Sequence, residues 1–519
     1  MIFNKKSFNN NYTLLVPIHS IFISLFLLSG FHTECKNPHL RRMSIFNSEN
    51  MDGLLALFGG FGVHLTLGTV YCFGNMNTYL TSYLNEYVNP DISYSVTIWI
   101  LTLASVGQGA FMTLSGYLEE YVGVRMTVLI GCFIMTCGVY LSYFAIQYSF
   151  ALLVITYGFM FGFGTALAYP APMGVAMRWF PRKKGLVNGI ILGGYGMGAF
   201  VFNQIQTFYL NPENKEVSST THMFRQRTIM ERVPSVFLLL GSIYGVIQIL
   251  SVFLISSPSE SEVTSMMPLV THAVEDEDEE DSDMEINASN SSSPIPSTPS
   301  APITTLHNSD ENLSPNQVIR SIEFWILWTT FLLNSQSIGY INSMYKAFGQ
   351  TFIKDDHFLA IVGAFAAIFN SGGRIFWGHL CDIFGYRICI MVVSSLLSIL
   401  YGTFYAISLT KSKALFASWV WAIFFCFCGN FVLMPTATAQ CFGTKFLSKN
   451  YGLVMSGMAL GALVLAAVTQ VLQPFIGFLG MFLLMSAVCT LSCIINSFFP
   501  SKPSPQIVLS KIQKIPSHL

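Results

Sequence analysis

From residue 51 onward the chain alternates between long apolar stretches and short polar ones. Twelve stretches reach about 20 residues or more, the length an α-helix needs to cross the hydrocarbon core of a bilayer. They fall at roughly 54–80, 94–116, 125–147, 150–176, 185–209 and 234–256, then 322–350, 357–380, 387–409, 414–440, 451–473 and 475–499. The pattern predicts an all-α membrane protein of twelve transmembrane helices in two six-helix halves, 51–256 and 321–499. A polar segment, 257–320, joins the halves, and 1–50 and 500–519 are extensions. Glycine is frequent in the spans and lets helices approach closely. Pro170, Pro172 and Pro435 stand late in spans four and ten, where broken backbone is tolerated beside a cavity. Leu14 to Phe31 is a further apolar run behind Lys5 and Lys6, and reads as a signal sequence or an extra anchor.

Composition agrees. Of 519 residues, 52% are hydrophobic and only 10% charged, against about 25% in soluble domains. The mean hydropathy of +0.54 fits neither a soluble enzyme nor a nucleic-acid binder. The net charge of −1 conceals a segregation: Glu275 to Glu285 holds nine acidic residues, and without them 18 acidic residues face 26 basic ones. The basic excess sits in even-numbered junctions, at Arg125, at Arg178, Arg182, Lys183 and Lys184, at Arg387, and at Lys445 and Lys449. The positive-inside rule then puts these junctions, the acidic segment and both ends of the core in the cytoplasm. The loop after span five is the exception, with Lys215, Arg225, Arg227 and Arg232 partly offset by Glu213, Glu216 and Glu231. Residues 257–320 are expected to be disordered. Their Asn287, Asn290 and Asn312 sequons, being cytoplasmic, are expected to stay unmodified, and Ser282 stands in an acidic, kinase-like context. The plasma membrane is the expected location, with an organelle membrane as the other possibility.

Chemistry concentrates on one residue. Arg374 is the only arginine well inside an apolar span, and no Asp or Glu lies deep in any span to neutralise it. A charge there faces a wet cavity or a partner rather than lipid. An unneutralised cation points to an anion that arrives from outside, although an arginine near a helix end also snorkels to headgroups. Asn370, one turn away on the same face, is placed to hold the guanidinium or a substrate oxygen. In span one, His64, Gly68, Tyr71 and Asn75 share a face. Span seven adds Gln336, Tyr340 and, near its outer end, Lys346; Tyr169 and Tyr195 are further phenols able to bond a carboxylate. The substrate-binding set is therefore Arg374, Asn370, His64, Tyr71, Gln336 and Tyr340. The eleven cysteines are scattered and read as small apolar fillers, so neither a disulfide framework, a metal site nor a cofactor is expected.

The chain is duplicated. Gly116, Glu120, Gly123 and Arg125 recur as Gly378, Asp382, Gly385 and Arg387, each pair 262 positions apart, and Phe180 and Phe442 keep the same offset. The regular offset implies two halves related by an internal repeat. These eight residues are expected to form conformational latches, each carboxylate meeting a basic residue or helix N-terminus across the junction. The repeat places Met112 opposite Arg374 and Gln108 opposite Asn370. Arg374 is thus no requirement of the scaffold.

Three passages carry a family resemblance: Gly68-Thr-Val-Tyr71-Cys-Phe-Gly74, Arg178-Trp-Phe-Pro-Arg-Lys-Lys-Gly185 running on to Gly196, and Phe442-Gly-Thr-Lys445 followed by Asn450-Tyr-Gly452. With Asn370-x-x-Gly-Arg374 they resemble the oxalate–formate antiporter branch of the major facilitator superfamily and, more distantly, its monocarboxylate transporters. The resemblance implies carboxylate transport by alternating access, with Arg374 at the position of the family's substrate-contacting arginine on the eighth helix. The family's lysine on the eleventh helix has no counterpart, since 451–473 contains no Lys or Arg. Asn370 stands where monocarboxylate transporters carry Asp, and Tyr121 where many superfamily members carry Arg. Coupling through a buried carboxylate is therefore not expected; exchange or facilitated flux is, with a modest pH dependence from His64 or the substrate.

The reading is a secondary transporter of small mono- or dicarboxylates, its partners the substrate and the bilayer. A carrier of another solute, and a transport-dead sensor acting through the acidic segment, are the rivals. No G-x-S-x-G, paired intramembrane carboxylates or His/carboxylate metal set speaks for an enzyme.

Overall fold

A computed structural model describes residues 51–92, 94–213, 215, 223–259, 262, 312–353 and 355–500. The Leu14–Phe31 run, the acidic stretch 275–285, Ser282, the Asn287 and Asn290 sequons and the tail beyond 500 lie outside the described residues. The chain divides into two compact units, Met1–Leu54 and Leu55–Leu519. Of the first, only the opening residues of a helix, 51–54, are described; the architecture below belongs to the second.

Among the described residues, eight helical stretches are long and apolar enough to cross a membrane. Three of them, Trp99–Tyr148, Ile361–Thr410 and Leu447–Asn496, each span 50 residues and hold two legs. Gly123 divides the first (φ 79°, ψ 167°), Gly385 the second (φ 78°, ψ 165°) and Gly477 the third (φ 61°). Only glycine adopts such angles without strain, which is why the chain can reverse there without a longer loop. Gly123 and Gly385 are repeat partners with almost the same backbone angles. Ile322–Gln350 is the twelfth leg. It is less apolar because it carries Asn334, Ser335, Gln336 and Ser337, all buried, on its protein-facing side. Twelve helical legs are therefore present among the described residues.

Helix breaks occur where the backbone must bend. Span one is helical over Met51–Leu67, tightens to a 3₁₀ turn over Gly68–Cys72, and resumes over Phe73–Tyr87. Span four contains a π-helical stretch, Val154–Met160, and breaks at Tyr169 ahead of Pro170. Proline removes a backbone donor and leaves carbonyls of the preceding turn open. Beside this break Ser115 Oγ donates to the Leu167 carbonyl at 2.6 Å, tying span two to span four.

With no hydrophobic force between helices in lipid, close packing and side-chain hydrogen bonds hold the bundle. In the first half, Gln248 donates to Thr66 Oγ1 at 2.9 Å and accepts from Thr136 Oγ1 at 2.7 Å. In the second, Asn334 Nδ2 donates to Asn430 Oδ1 at 2.6 Å. Glycines line the seam between halves. Along span five, Gly185, Gly189 and Gly196 lie against Gly378, Arg374 and Ser371 of span eight. Along span two, Gly109 and Gly116 lie against Ala459 and Lys449, and Gly452 of span eleven lies against Thr113. The two seams are related by the repeat, and they bring Arg374 to the boundary between halves.

Candidate functional site

Arg374 is fully buried. Its Nε donates to Asn370 Oδ1 at 2.9 Å, one helical turn earlier. Its Cζ lies 4.8 Å from the ring centre of Phe431 in span ten and 5.5 Å from that of Tyr195 in span five. Both rings offer negative π faces to the cation. Phe431 is the repeat partner of Tyr169, and the guanidinium has Tyr71, Tyr169, Tyr195 and Cys428 as electrostatic neighbours. None of these is an Asp or Glu. Neither Nη1 nor Nη2 makes a well-formed hydrogen bond among the described residues, although the Tyr71 and Tyr169 hydroxyls lie close to the guanidinium. Buried polar groups normally have partners, so two amino groups without one call for an explanation. The fork they form fits the two oxygens of a carboxylate.

His64 and Tyr71 belong to the same cluster of side chains around Arg374. The His64 ring lies 4.9 Å from Tyr169 and 6.4 Å from Tyr195, and Tyr71 lies 5.5 Å from Tyr195, edge to face. Tyr451 of span eleven stacks 6.4 Å from Tyr169. His64 Nδ1 bonds the Gly60 carbonyl at 2.9 Å; since a carbonyl only accepts, Nδ1 carries a hydrogen. Asn75 turns away to Gln206 and Thr207. Gln336 points its amide back to the Leu332 carbonyl at 3.5 Å, and Tyr340 packs against Phe482 at 5.6 Å. Neither hydrogen-bonds Arg374. The structure thus gathers Arg374, Asn370, His64 and Tyr71 in one cluster, while Gln336 contacts the Leu332 carbonyl of its own helix and Tyr340 contacts Phe482. Phe431 and Tyr451 were absent from the sequence set. Phe431 had one available signal, its repeat relation to Tyr169. Among the described residues no group of His, Cys, Asp and Glu assembles a metal site.

The repeated turns lie at the junction face. Asp382 accepts from the backbone N–H of Gly185 and of Leu186, both at 2.7 Å, and so caps the start of span five from the other half. Burial pulls the nearby Lys183 ammonium below its ordinary value, and Asp382 opposes this. On the other side Glu120 pairs with Lys449 at 2.6 Å, and Glu119 accepts from Ser448 Oγ at 2.7 Å and meets Arg178 at 3.3 Å. Gly116 and Gly378 sit in the glycine seams. Arg125 and Arg387 behave differently from the other latch positions. Arg125 bonds the Ile255 carbonyl and Arg387 donates to the Ser497 carbonyl at 2.6 Å, so each ties down the last span of its own half.

A family model described as Major Facilitator Superfamily matches residues 60–442 and 327–517. The chain is 28% identical to Apicoplast pyruvate carrier 1 of Toxoplasma gondii, over 95% of this chain and 94% of that protein. It is 24% identical to the Oxalate:formate antiporter of Oxalobacter formigenes, over 72% of this chain and 76% of that protein. Among solved structures, the FucP transporter of E. coli in the outward conformation superposes with a TM-score of 0.55 at 12% identity, covering 85% of this chain and 99% of its own. That likeness concerns the fold. The extent of the family match, on a chain with twelve spans and an internal repeat, places this multi-pass membrane protein in the Major Facilitator Superfamily.

Proposed function

We propose that the chain is a secondary transporter that carries small organic anions, mono- or dicarboxylates, across a membrane by alternating access. The observation that supports this most directly is Arg374: fully buried, with neither terminal amino group in a well-formed hydrogen bond and no carboxylate beside it among the described residues. A cation held in an apolar interior without a resident anion is costly, and a carboxylate between its two prongs relieves that cost. The relatives named for pyruvate and for oxalate and formate carry the same chemical class. Asn370 fixes the guanidinium through Nε, Tyr195 and Phe431 cover its faces, and His64 and Tyr71 offer polar atoms to the rest of the solute. The Asp382 and Glu119/Glu120 contacts close one face, and their exchange for contacts at the other face exposes the chamber alternately.

The basic junctions place the closed face in the cytoplasm. The apicoplast carrier aligns over nearly the whole chain, which favours an organelle membrane over the plasma membrane expected from the sequence alone. Uptake of a panel of labelled carboxylates into proteoliposomes, with and without a pH gradient, tests the reading. Saturable uptake of at least one carboxylate is expected; no uptake and no binding across the panel would falsify it.

A further inference from the structure

The two contacts that close the junction face are built differently. Asp382 takes two backbone N–H groups, of Gly185 and Leu186. The repeat partners of those residues are Leu447 and Ser448, and here side chains make the contact: Ser448 Oγ to Glu119 at 2.7 Å and Lys449 Nζ to Glu120 at 2.6 Å. A side-chain contact is only as well placed as the backbone beneath it. That backbone is the turn between Phe442 and Asn450, and a third segment holds it. Leu313 N–H donates to the Phe442 carbonyl at 3.0 Å. Lys445 N–H donates to Asn312 Oδ1 at 3.0 Å. Asn450 Nδ2 donates to the Leu313 carbonyl at 3.0 Å. Leu313 is 2% exposed and Asn450 is fully buried. Gly443 has φ 79°, and a Cβ there would meet Asn312 Cα at 3.1 Å, so the two segments leave no room even for a methyl group. Asn312 and Leu313 end the polar segment that joins the halves, just before span seven.

We propose that Asn312–Leu313 is a strap: the end of the inter-half segment docks on the 442–450 turn, sets Ser448 and Lys449 for their contacts with Glu119 and Glu120, and so biases the junction face towards closure. Releasing the strap loosens one of the two contacts. The other, from Asp382 to backbone N–H groups at the start of span five, does not depend on it. The polar segment thereby acquires a mechanical handle on the opening of the carrier. The strap uses no group of the Arg374 chamber and stands or falls independently of the substrate.

The test uses the full chain in lipid nanodiscs, without substrate. Spin labels on unnatural amino acids replace Tyr121 and Ile383, repeat partners in opposite halves that are 87% and 58% exposed. Pulsed distance measurement then reports separation of the two junctions. Asn312→Ala is expected to raise the long-distance population about threefold or more. Asn312→Asp keeps the acceptor and is expected to match the wild type. Asn450→Ala breaks the strap from its other side and is expected to shift as Asn312→Ala does, so a folding defect in one variant leaves the other as the test. In a Glu119→Gln/Glu120→Gln background, Asn312→Ala is expected to add nothing, because the strap acts through those carboxylates. Unchanged distances in both strap variants, or a full additional shift in the double-Gln background, overturn the proposal.

Discussion

Gly189 of span five lies directly against the main-chain carbonyl of Arg374: a Cβ on Gly189 would stand 2.5 Å from that oxygen and 3.1 Å from Ile375 Cα. The residue that carries the candidate anion site is thus also the floor of the seam between halves. Both atoms in the way are backbone, so neither can rotate aside. Gly189→Ala is expected to prevent full closure, at a cost of roughly 1–3 kcal/mol, the usual range for overpacking. A lowered melting temperature in detergent and a lengthened junction distance check this. Gly74→Ala, with nothing within 4 Å of the added methyl, is the control and is expected to be silent.

Arg374→Lys is expected to bind carboxylates more weakly than the wild type, because a point ammonium lacks the fork. Arg374→Gln is expected to lose more. A charged hydrogen bond contributes roughly 1.5–3 kcal/mol, which corresponds to about one to two orders of magnitude in affinity. Calorimetric titration with pyruvate, alongside surface expression and thermal stability, reads the effect. Met112→Leu, at the repeat position of Arg374, conserves volume and is expected to leave affinity unchanged. Unchanged affinity in a folded Arg374→Gln variant removes the anion site.

The two closing contacts are expected to differ in weight. Asp382 makes two charge-assisted bonds to backbone, whereas the Glu120 side chain is 49% exposed and its pair with Lys449 is screened by water. Asp382→Asn is expected to open the junction face at a cost of roughly 1.5–3 kcal/mol, and Glu120→Gln at about 1 kcal/mol or less. Distance distributions between the labelled junctions rank the two; the reverse order contradicts this assignment.

Orientation follows from charge and is checked by labelling. A cysteine at Tyr121, on a basic junction, is expected to escape an impermeant thiol reagent applied to the outer side. One at Asn89, in the exposed loop after span one, is expected to react. Labelling at Tyr121 from outside inverts the topology.

Much of this was legible in the chain. Span lengths follow from bilayer thickness, and the offset of 262 exposes the repeat before any coordinate is known. Arg374 stands out because charge is rare among apolar residues. Phe431 does not, because 45 phenylalanines fill the chain and composition cannot distinguish a ring over a guanidinium from one facing lipid. The partners of Asp382 were hidden for another reason: they are main-chain N–H groups, which every residue but proline possesses. Arg125 and Arg387 were legible as a repeated pair, but not as braces within each half, since motif spacing does not say which carbonyl a long side chain will reach. Type and depth nominate Gln336 and Tyr340, but helical depth alone does not give azimuth.

The two rings nearest the Arg374 cation belong to different halves, Phe431 to the second and Tyr195 to the first. Phe431 travels with the guanidinium whatever the carrier does. Tyr195 is anchored to span five and to Gln108, its hydroxyl 3.5 Å from that amide oxygen, and must leave when the halves separate along this seam. The guanidinium is therefore expected to have two ring neighbours in one state and one in the other. On the proposed function, a solute loading from the two sides of the membrane is expected to meet two different receptors built on the same arginine. Half-saturation for entry and for exit should then be unequal, and in passive exchange the maximal rates must differ in compensation, so that the carrier rectifies kinetically while leaving the final distribution of its solute untouched.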